Sequence, residues 1–357
     1  MRKIIRITGQ IGVGKSSLMR ILRSLFTDAV FIDTDSIAKE IIKNDAQVRQ
    51  KLSTCLGCMY DHENEDHTAR LRQIFFENNA FKKQIEDIVH PLVYAEIEKI
   101  IRNRNGSGHI FIESALLYSN RANFFDATIS VICSNKELHI QRILEHRTHL
   151  SKQEVHAILS QQPSVVEYIQ KSDFVIDTAY SEKAHIFDVS LCVEWIDYVL
   201  VQKQKWAVFS GSFLPFTKGH ESVVEQYLHI FDRIFVMQAF NPEKDHLRGK
   251  YSIDEKLLPD HMKGRVFFIK PQQKMTAHMI KEFGTRIQIR GVRDDQDMIY
   301  EQKIYKFNHI IDKDIITLFV FAHPKYESIS SSLARQVESL DSVFRDIVPP
   351  YVKIEGS

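Results

Sequence analysis

Gly9-Gln10-Ile11-Gly12-Val13-Gly14-Lys15-Ser16 follows the apolar run Ile4-Ile5-Arg6-Ile7. It precedes a stretch in which Leu18, Ile21, Leu22 and Leu25 recur at helical spacing. The pattern is G-x4-G-K-[ST] in the setting it needs, between a strand and a helix. Glycines let the backbone curl until successive N–H groups face a phosphate, and the next helix adds the positive end of its dipole. Lys15 is placed to reach β- and γ-phosphate oxygens, and the Ser16 hydroxyl to ligate Mg²⁺. Gly9, Gly12, Gly14, Lys15, Ser16 and Ser17 are therefore the candidate cradle for a nucleoside triphosphate. A glycine-rich turn with no ligand is the bland alternative, and the strand–loop–helix setting argues against it.

Outward from this loop, short β-branched or aromatic runs alternate with helical periodicity. Val30–Ile32, His109–Ile112, Ala127–Ile132 and Phe174–Ile176 read as strands, and alternation of this kind predicts a parallel sheet covered on both faces. Phe31-Ile32-Asp33-Thr34-Asp35 puts Asp33 and Asp35 at the carboxyl edge of the second strand, where such sheets bind ligands. A carboxylate there accepts the proton of an attacking hydroxyl or helps to hold the metal; a helix cap is the other reading. A last helical stretch, about 183 to 202, ends in Gln202-Lys203-Gln204-Lys205, and a new strand opens at Trp206. Alternation restarts with Arg233–Ala239, Val266–Ile269, Ile287–Ile289 and Ile316–Phe321. The expected architecture is α/β, two three-layer domains with parallel sheets, residues 1–204 and 205–357.

The second half has its own constellation: Ser210-Gly211-Ser212-Phe213-Leu214-Pro215-Phe216-Thr217-Lys218-Gly219-His220. Further on come Phe240-Asn241-Pro242-Glu243-Lys244, then Arg290-Gly291-Val292-Arg293 with Asp297 and Tyr300-Glu301, then Ile329-Ser330-Ser331-Ser332. Gly219 lets backbone approach a nucleotide, and His220 at a helix start can donate to a phosphate. Singly, ISSS is a helix cap and RGxR a surface turn. Four such segments in order are not a coincidence.

Bulk properties narrow the partners. The chain has 357 residues, 44% of them apolar, which suits two ordinary cores. With 47 basic and 46 acidic residues the net charge is +1, so no global field attracts nucleic acid or an anionic membrane. No run of 18 apolar residues occurs, and a soluble, cytoplasmic protein acting on small molecules is expected. Of four cysteines, Cys55 and Cys58 form a CxxC with His62 and His67 behind it. The ligands of a zinc site would be crowded into one short segment, so two ordinary thiols near a helix end are the favoured reading. Cys133 and Cys192 sit in apolar surroundings and read as packing residues.

The first half resembles the dephospho-coenzyme A kinases. Thr8–Ser17 matches their glycine-rich opening, Ile32-Asp33-Thr34-Asp35-Ser36-Ile37-Ala38 their DADxIA, His90-Pro91-Leu92 their HPL, and Ser172–Asp177 their ADxVID. The resemblance implies that Asp35 is the catalytic base beside Lys15, and that Arg142 and Arg147 belong to a lid over ATP, Arg142 assisting transfer. It also implies that Asp33, Asp35 and His90 face the acceptor. Tyr118 stands where the family has an acidic residue, and Tyr168 where it has a basic one. The second half resembles the phosphopantetheine adenylyltransferases, whose GxFxPxTxGH, NPxK, RGLR…DxxYE and ISSSLVR it repeats. That implies catalysis by His220 and Lys244. ATP would lie on Ser212, Phe213, Gly219, His220, Arg293, Glu301, Ser330, Ser331 and Ser332. Phosphopantetheine would lie on Ser212, Lys244, Thr276 and Arg290. Here the departures are Leu214 for the family's Asp, Ser210 for its Pro, and Lys256 for an Arg.

Together the resemblances imply a P-loop kinase fold followed by a Rossmann-like nucleotidyltransferase fold. The substrates would be ATP with Mg²⁺, 4′-phosphopantetheine and dephospho-coenzyme A, joined in the last two steps of coenzyme A synthesis. Two other readings remain: a nicotinamide riboside kinase joined to a mononucleotide adenylyltransferase, and a chain in which one half binds nucleotide without turnover.

Overall fold

The computed structural model describes residues 2–104, 106–114, 125–148, 150–179, 189–239, 246–247, 249–270 and 274–355. The chain divides into two compact units. One is Met1–Val131 with Ile140–Gln162, and the other is Ile132–His139 with Pro163–Ser357.

In the first unit β1 (Ile4–Thr8) leads through the glycine loop into α1 (Lys15–Leu25), whose Leu18, Met19 and Leu22 are buried. Then come β2 (Val30–Asp33), α2 (Thr34–Asn44), α3 (Ala46–Leu56), α4 (Glu65–Glu77) and α5 (Asn79–Asn103). Next are β3 (Ile110–Glu113), β4 (Ala127–Ile132), α6 (Lys136–His146) and α7 (Lys152–Ser160); α8 (Val165–Gln170) and β5 (Phe174–Asp177), next in the chain, belong to the second unit. In the first unit's sheet the strands lie in the order β2-β3-β1-β4, each neighbouring pair parallel. Every residue of β4 is buried, as expected for a parallel strand covered on both faces. Val48, Leu52, Val89, Val93 and Ile97 pack with Ile32, Ile110 and Ile112. The chain connects to opposite sides of β1, so its carboxyl end is the switch point where a crevice opens.

The second unit contains a π-helical turn, Trp195–Val201, at the end of the expected 183–202 helix, whose first residues lie outside those described. It continues through β6 (Trp206–Gly211), α9 (Lys218–Tyr227), β7 (Arg233–Gln238), β8 (Tyr251–Ile253), β9 (Val266–Ile269) and α10 (Thr276–Glu282). β10 (Ile287–Val292), α11 (Asp295–Ile311), β11 (Ile316–Phe321), α12 (Ser331–Gln336), α13 (Asp341–Ile347) and β12 (Val352–Ile354) complete it. The sheet order is β11-β10-β6-β7-β9 and all four neighbouring pairs are parallel. β8 and β12 form a separate antiparallel ribbon, too short to announce itself by periodicity. The switch point here lies between β6 and β10. Phe209, Val224, Val236, Ile289 and Phe344 are in its core.

Residues of 163–201 pack into this second unit. Trp195 Nε1 donates to the Gly284 carbonyl at 2.9 Å, and its ring leans on Phe174 at 5.3 Å. The wholly buried Lys281 donates to the Ser172 carbonyl at 3.1 Å and pairs with Asp312 at 3.3 Å. Asp177 pairs with Lys274 at 3.3 Å, and Asp173 with Arg286 at 3.1 Å.

Candidate functional site

In the first unit the glycine loop is forced by close approach. A Cβ on Gly9 would sit 2.1 Å from the Val131 carbonyl oxygen, and one on Gly12 would sit 2.5 Å from Ile143 Cγ1. Both glycines have positive φ, 145° and 75°, so a side chain is excluded by strain as well as space. The Ile11 N–H donates to Gln162 Oε1 at 3.0 Å, tying the loop to the second residue after α7. Lys15 Nζ donates to the Gly9 and Gln10 carbonyls, both at 2.9 Å. Burial pushes its ammonium below the usual lysine value; Glu113 and Asp35 pull it back, and Arg147 adds to the lowering.

Register explains why these groups meet. Ile7 on β1 and Asp33 on β2 both face Glu113 on β3, so three strand ends converge. Ser16 Oγ donates to Glu113 Oε1 at 3.2 Å. Burial lifts the Glu113 carboxyl, Lys15 and Ser16 oppose it, and Asp33 and Asp35 add to the rise. Glu113 was not among the expected site residues, although it is the acidic residue nearest the Tyr118 position; its place at the end of a buried strand was the available signal. Asp33 is the helix cap, accepting the Asp35 N–H at 3.0 Å and the Ser36 hydroxyl at 2.6 Å. Asp35, exposed in the first turn of α2, is the carboxylate of the pair whose charge reaches Lys15 most strongly. Arg142 is half-buried on α6, Arg147 follows that helix, and His90 lies half-buried on α5 beside Pro91. Tyr118 lies outside the described residues. Tyr168, on α8, is a core residue whose hydroxyl burial pushes up to about 12.

In the second unit a cavity of about 530 Å³ opens at the β6–β10 switch point. It is lined by Ser212, Phe213, Gly219, His220, Thr276, Arg290, Arg293, Glu301, Ser331 and Ser332, all expected, and by Ser210, Tyr300, Ile304 and Tyr326. Lys244 lies outside the described residues. Ser330 caps α12, accepting the Leu333 N–H at 2.9 Å. Leu214 is buried and absent from the lining.

His220 sits among the rings of Phe213, Phe216 and Phe209, with centroids 5.0, 5.5 and 6.4 Å away. Phe213 takes φ +46°, unfavourable for an aromatic residue, which turns its ring onto the imidazole. Burial first, and the Arg293 charge second, push the His220 pKa down to about 3. The ring is therefore neutral near pH 7. Its Nδ1 accepts the Thr217 N–H at 3.0 Å, which leaves the proton on Nε2 as a donor. Arg290 pairs with Glu301 through both carboxylate oxygens, Nε at 2.6 Å and Nη2 at 2.5 Å, and Nη1 donates to the Ser210 carbonyl at 2.7 Å. Glu301 thus acts as the counter-ion of Arg290 in this structure.

Among the described residues no group of three His, Cys, Asp or Glu side chains gathers to hold a metal. Cys58 Sγ lies 3.4 Å from His67 Nε2. Cys133 and Cys192 are buried, as their sequence context suggested. No helix among the described residues is long and apolar enough to cross a membrane.

Fold and site together define an α/β protein with a P-loop nucleotide cradle in one unit and a histidine-bearing phosphate pocket in the other. The family described as Dephospho-CoA kinase matches residues 3–183, and the one described as Cytidylyltransferase-like matches 208–337. A Dephospho-CoA kinase of Protochlamydia amoebophila (strain UWE25) is 35% identical over 181 residues, 49% of this chain and 87% of that protein. A Phosphopantetheine adenylyltransferase of Geotalea daltonii is 34% identical over 152 residues, 42% of this chain and 92% of the relative. One of Cytophaga hutchinsonii is 34% identical over 145 residues, 41% and 97% respectively. The chain belongs to the dephospho-CoA kinase family and, in its other half, to the phosphopantetheine adenylyltransferase family.

Proposed function

We propose that this one chain carries out the last two steps of coenzyme A synthesis, the adenylylation of 4′-phosphopantetheine and then the phosphorylation of dephospho-coenzyme A. The observation that carries the reading is the pairing of two phosphate sites of different chemistry. One combines a P-loop lysine with strand-end carboxylates, and the other combines a neutral histidine with Arg290 and Arg293.

In the adenylyl step a phosphate oxygen of phosphopantetheine attacks the α-phosphorus of ATP, and pyrophosphate leaves. The nucleophile is already anionic, so no base is needed, and a histidine held neutral suits that demand. His220 Nε2–H donates to the transferring or leaving phosphate, and Lys244 adds charge there. Arg290, with Thr276 and Ser212, receives the acceptor. Arg293, Gly219, Ser331 and Ser332 line the ATP side, with Phe213 and Ser330 as supports of that pocket. In the kinase step the 3′-hydroxyl oxygen attacks the γ-phosphorus, ADP leaves, and Asp35 takes the hydroxyl proton. Lys15 and the loop N–H groups hold the β- and γ-oxygens, while Arg142 and Arg147 cover them and His90 lies towards the acceptor.

Mg²⁺ would be held by Ser16 with Glu113, and it would neutralise β/γ charge. The hydroxyl and carboxylate stand 3.2 Å apart, and Mg²⁺ characteristically takes one or two protein oxygens besides phosphates and water. We take the junction of the two catalytic segments to lie near 204; the matched stretches, which end at 183 and begin at 208, support that reading.

The deciding experiment supplies purified chain with 4′-phosphopantetheine, ATP and Mg²⁺ and follows products by chromatography. Dephospho-coenzyme A followed by coenzyme A is expected. Turnover of nicotinamide riboside instead, or nucleotide binding with no turnover in one half, would overturn the reading.

A further inference from the structure

Behind Arg290 and Ser210 runs a line of buried polar side chains, Gln288 and Asn308, that belongs to neither motif. Gln288, on β10, is wholly buried and donates from Nε2 to Ser210 Oγ at 2.7 Å. Ser210 Oγ also accepts from Arg290 Nη1 at 3.0 Å, beside the bond to the Ser210 carbonyl. On its other side Gln288 Oε1 faces two donors, Asn308 Nδ2 and Thr317 Oγ1, each at 3.3 Å. Flipped, the amide would set its N–H against the Asn308 N–H, so the orientation shown is the one that gives Asn308 an acceptor. Ser210, Gln288 and Asn308 are 2%, 0% and 3% exposed, so water cannot substitute for a missing partner.

Buried polar side chains at a central strand usually lose to apolar ones of the same size unless their direction matters. Here the direction ends on a guanidinium at the floor of the cavity. Glu301 grips one edge of that guanidinium and Ser210 the other, and Gln288 fixes Ser210. Resting on the assignment of this cavity to phosphopantetheine adenylylation, we infer that Gln288 is a positioning residue for the acceptor's phosphate, acting through Ser210 on Arg290. Without it the Ser210 hydroxyl can rotate away, and Arg290 loses one of its two bonds to Ser210.

The test uses the full chain carrying Gln288→Leu or Gln288→Glu, with both activities and thermal unfolding measured on the same preparations. Gln288→Leu should raise KM for 4′-phosphopantetheine about tenfold, the loss of roughly one buried hydrogen bond, with KM for ATP and kcat within about threefold. Gln288→Glu keeps the shape but puts an acceptor where a donor is needed. Its KM ratio to wild type should be larger at pH 8 and shrink towards pH 5.5, as a protonated carboxyl recovers the donor. An unchanged phosphopantetheine KM, equal losses in every parameter, or a pH-independent ratio would overturn the inference. If the wild-type chain fails to adenylylate phosphopantetheine, the functional reading falls by itself. A crystal structure of Gln288→Leu then still decides the positioning: Arg290 displaced from Ser210 supports it, and Arg290 unmoved overturns it.

Discussion

Trp195 stands in sequence before the second family segment, yet its indole is built into the second unit. The ring is 3% exposed, leans on Phe174 and donates to the Gly284 carbonyl. Gly284 itself has φ +61°, and a Cβ there would lie 2.2 Å from the indole, so backbone and ring are fitted to each other. Trp195→Ala removes that packing and leaves a carbonyl without its donor, which together cost about 4 kcal/mol. For a unit of about 200 residues, each kcal/mol lowers the melting point by roughly 2–4 °C, so the fall should be roughly 8–16 °C. The assay heats the full chain through a series of temperatures, cools it, and measures adenylyl transfer and dephospho-coenzyme A phosphorylation separately. Adenylyl transfer should be lost earlier than in wild type. If its midpoint stayed put while only the kinase midpoint fell, the packing of 163–201 into the second unit would be refuted.

Lys15→Ala should abolish phosphorylation and spare adenylyl transfer, and His220→Ala should do the reverse; loss of both activities from either change in a folded chain would end the two-site account. Glu301→Gln leaves Arg290 with uncompensated charge. Breaking a buried pair costs about 3–5 kcal/mol, and the surviving Ser210 bonds bring the expectation to the lower end, readable by calorimetry. His220 has a folded pKa of about 3 against 6.5 for the free side chain, so the folded unit refuses a proton that the unfolded chain accepts. Its contribution to stability is full above pH 6.5 and is lost as pH falls from there towards 3. His220→Asn should therefore lose less melting temperature than wild type between pH 7 and pH 5, and equal losses would show that the imidazole is not held neutral by burial.

Local periodicity and glycine placement made both parallel sheets legible, because each strand and loop obeys rules that act within a few residues. The cavity residues Ser212, Gly219, His220, Thr276, Arg290, Arg293 and Glu301 were legible for the same reason, through spaced motifs on strand ends and helix starts. What stayed hidden depends on partners distant in the chain. Glu113 is one residue of an apolar strand until register sets it beside Ser16. The Asp33–Asp35 pair reads alike in sequence, and only the helix start separates cap from carboxylate. Nothing local to Ser172, Phe174 or Trp195 says that they pack against α10 and the turn that follows it. Nor could motif reading show that Arg290 and Glu301, expected to serve different substrates, spend their charges on each other.

A guanidinium has five N–H donors. Those of Arg290 are already committed to the two Glu301 oxygens, the Ser210 carbonyl and the Ser210 hydroxyl, so among the described residues one is left over, on Nη2. Arg290 therefore cannot grasp an incoming phosphate with two prongs, as a free arginine would. It can offer one directed hydrogen bond from a rigid mount. Selectivity for a phosphate over a carboxylate of similar size must then be divided among the other cavity walls, and exchanging Arg290 for lysine would forfeit the mount rather than the contact.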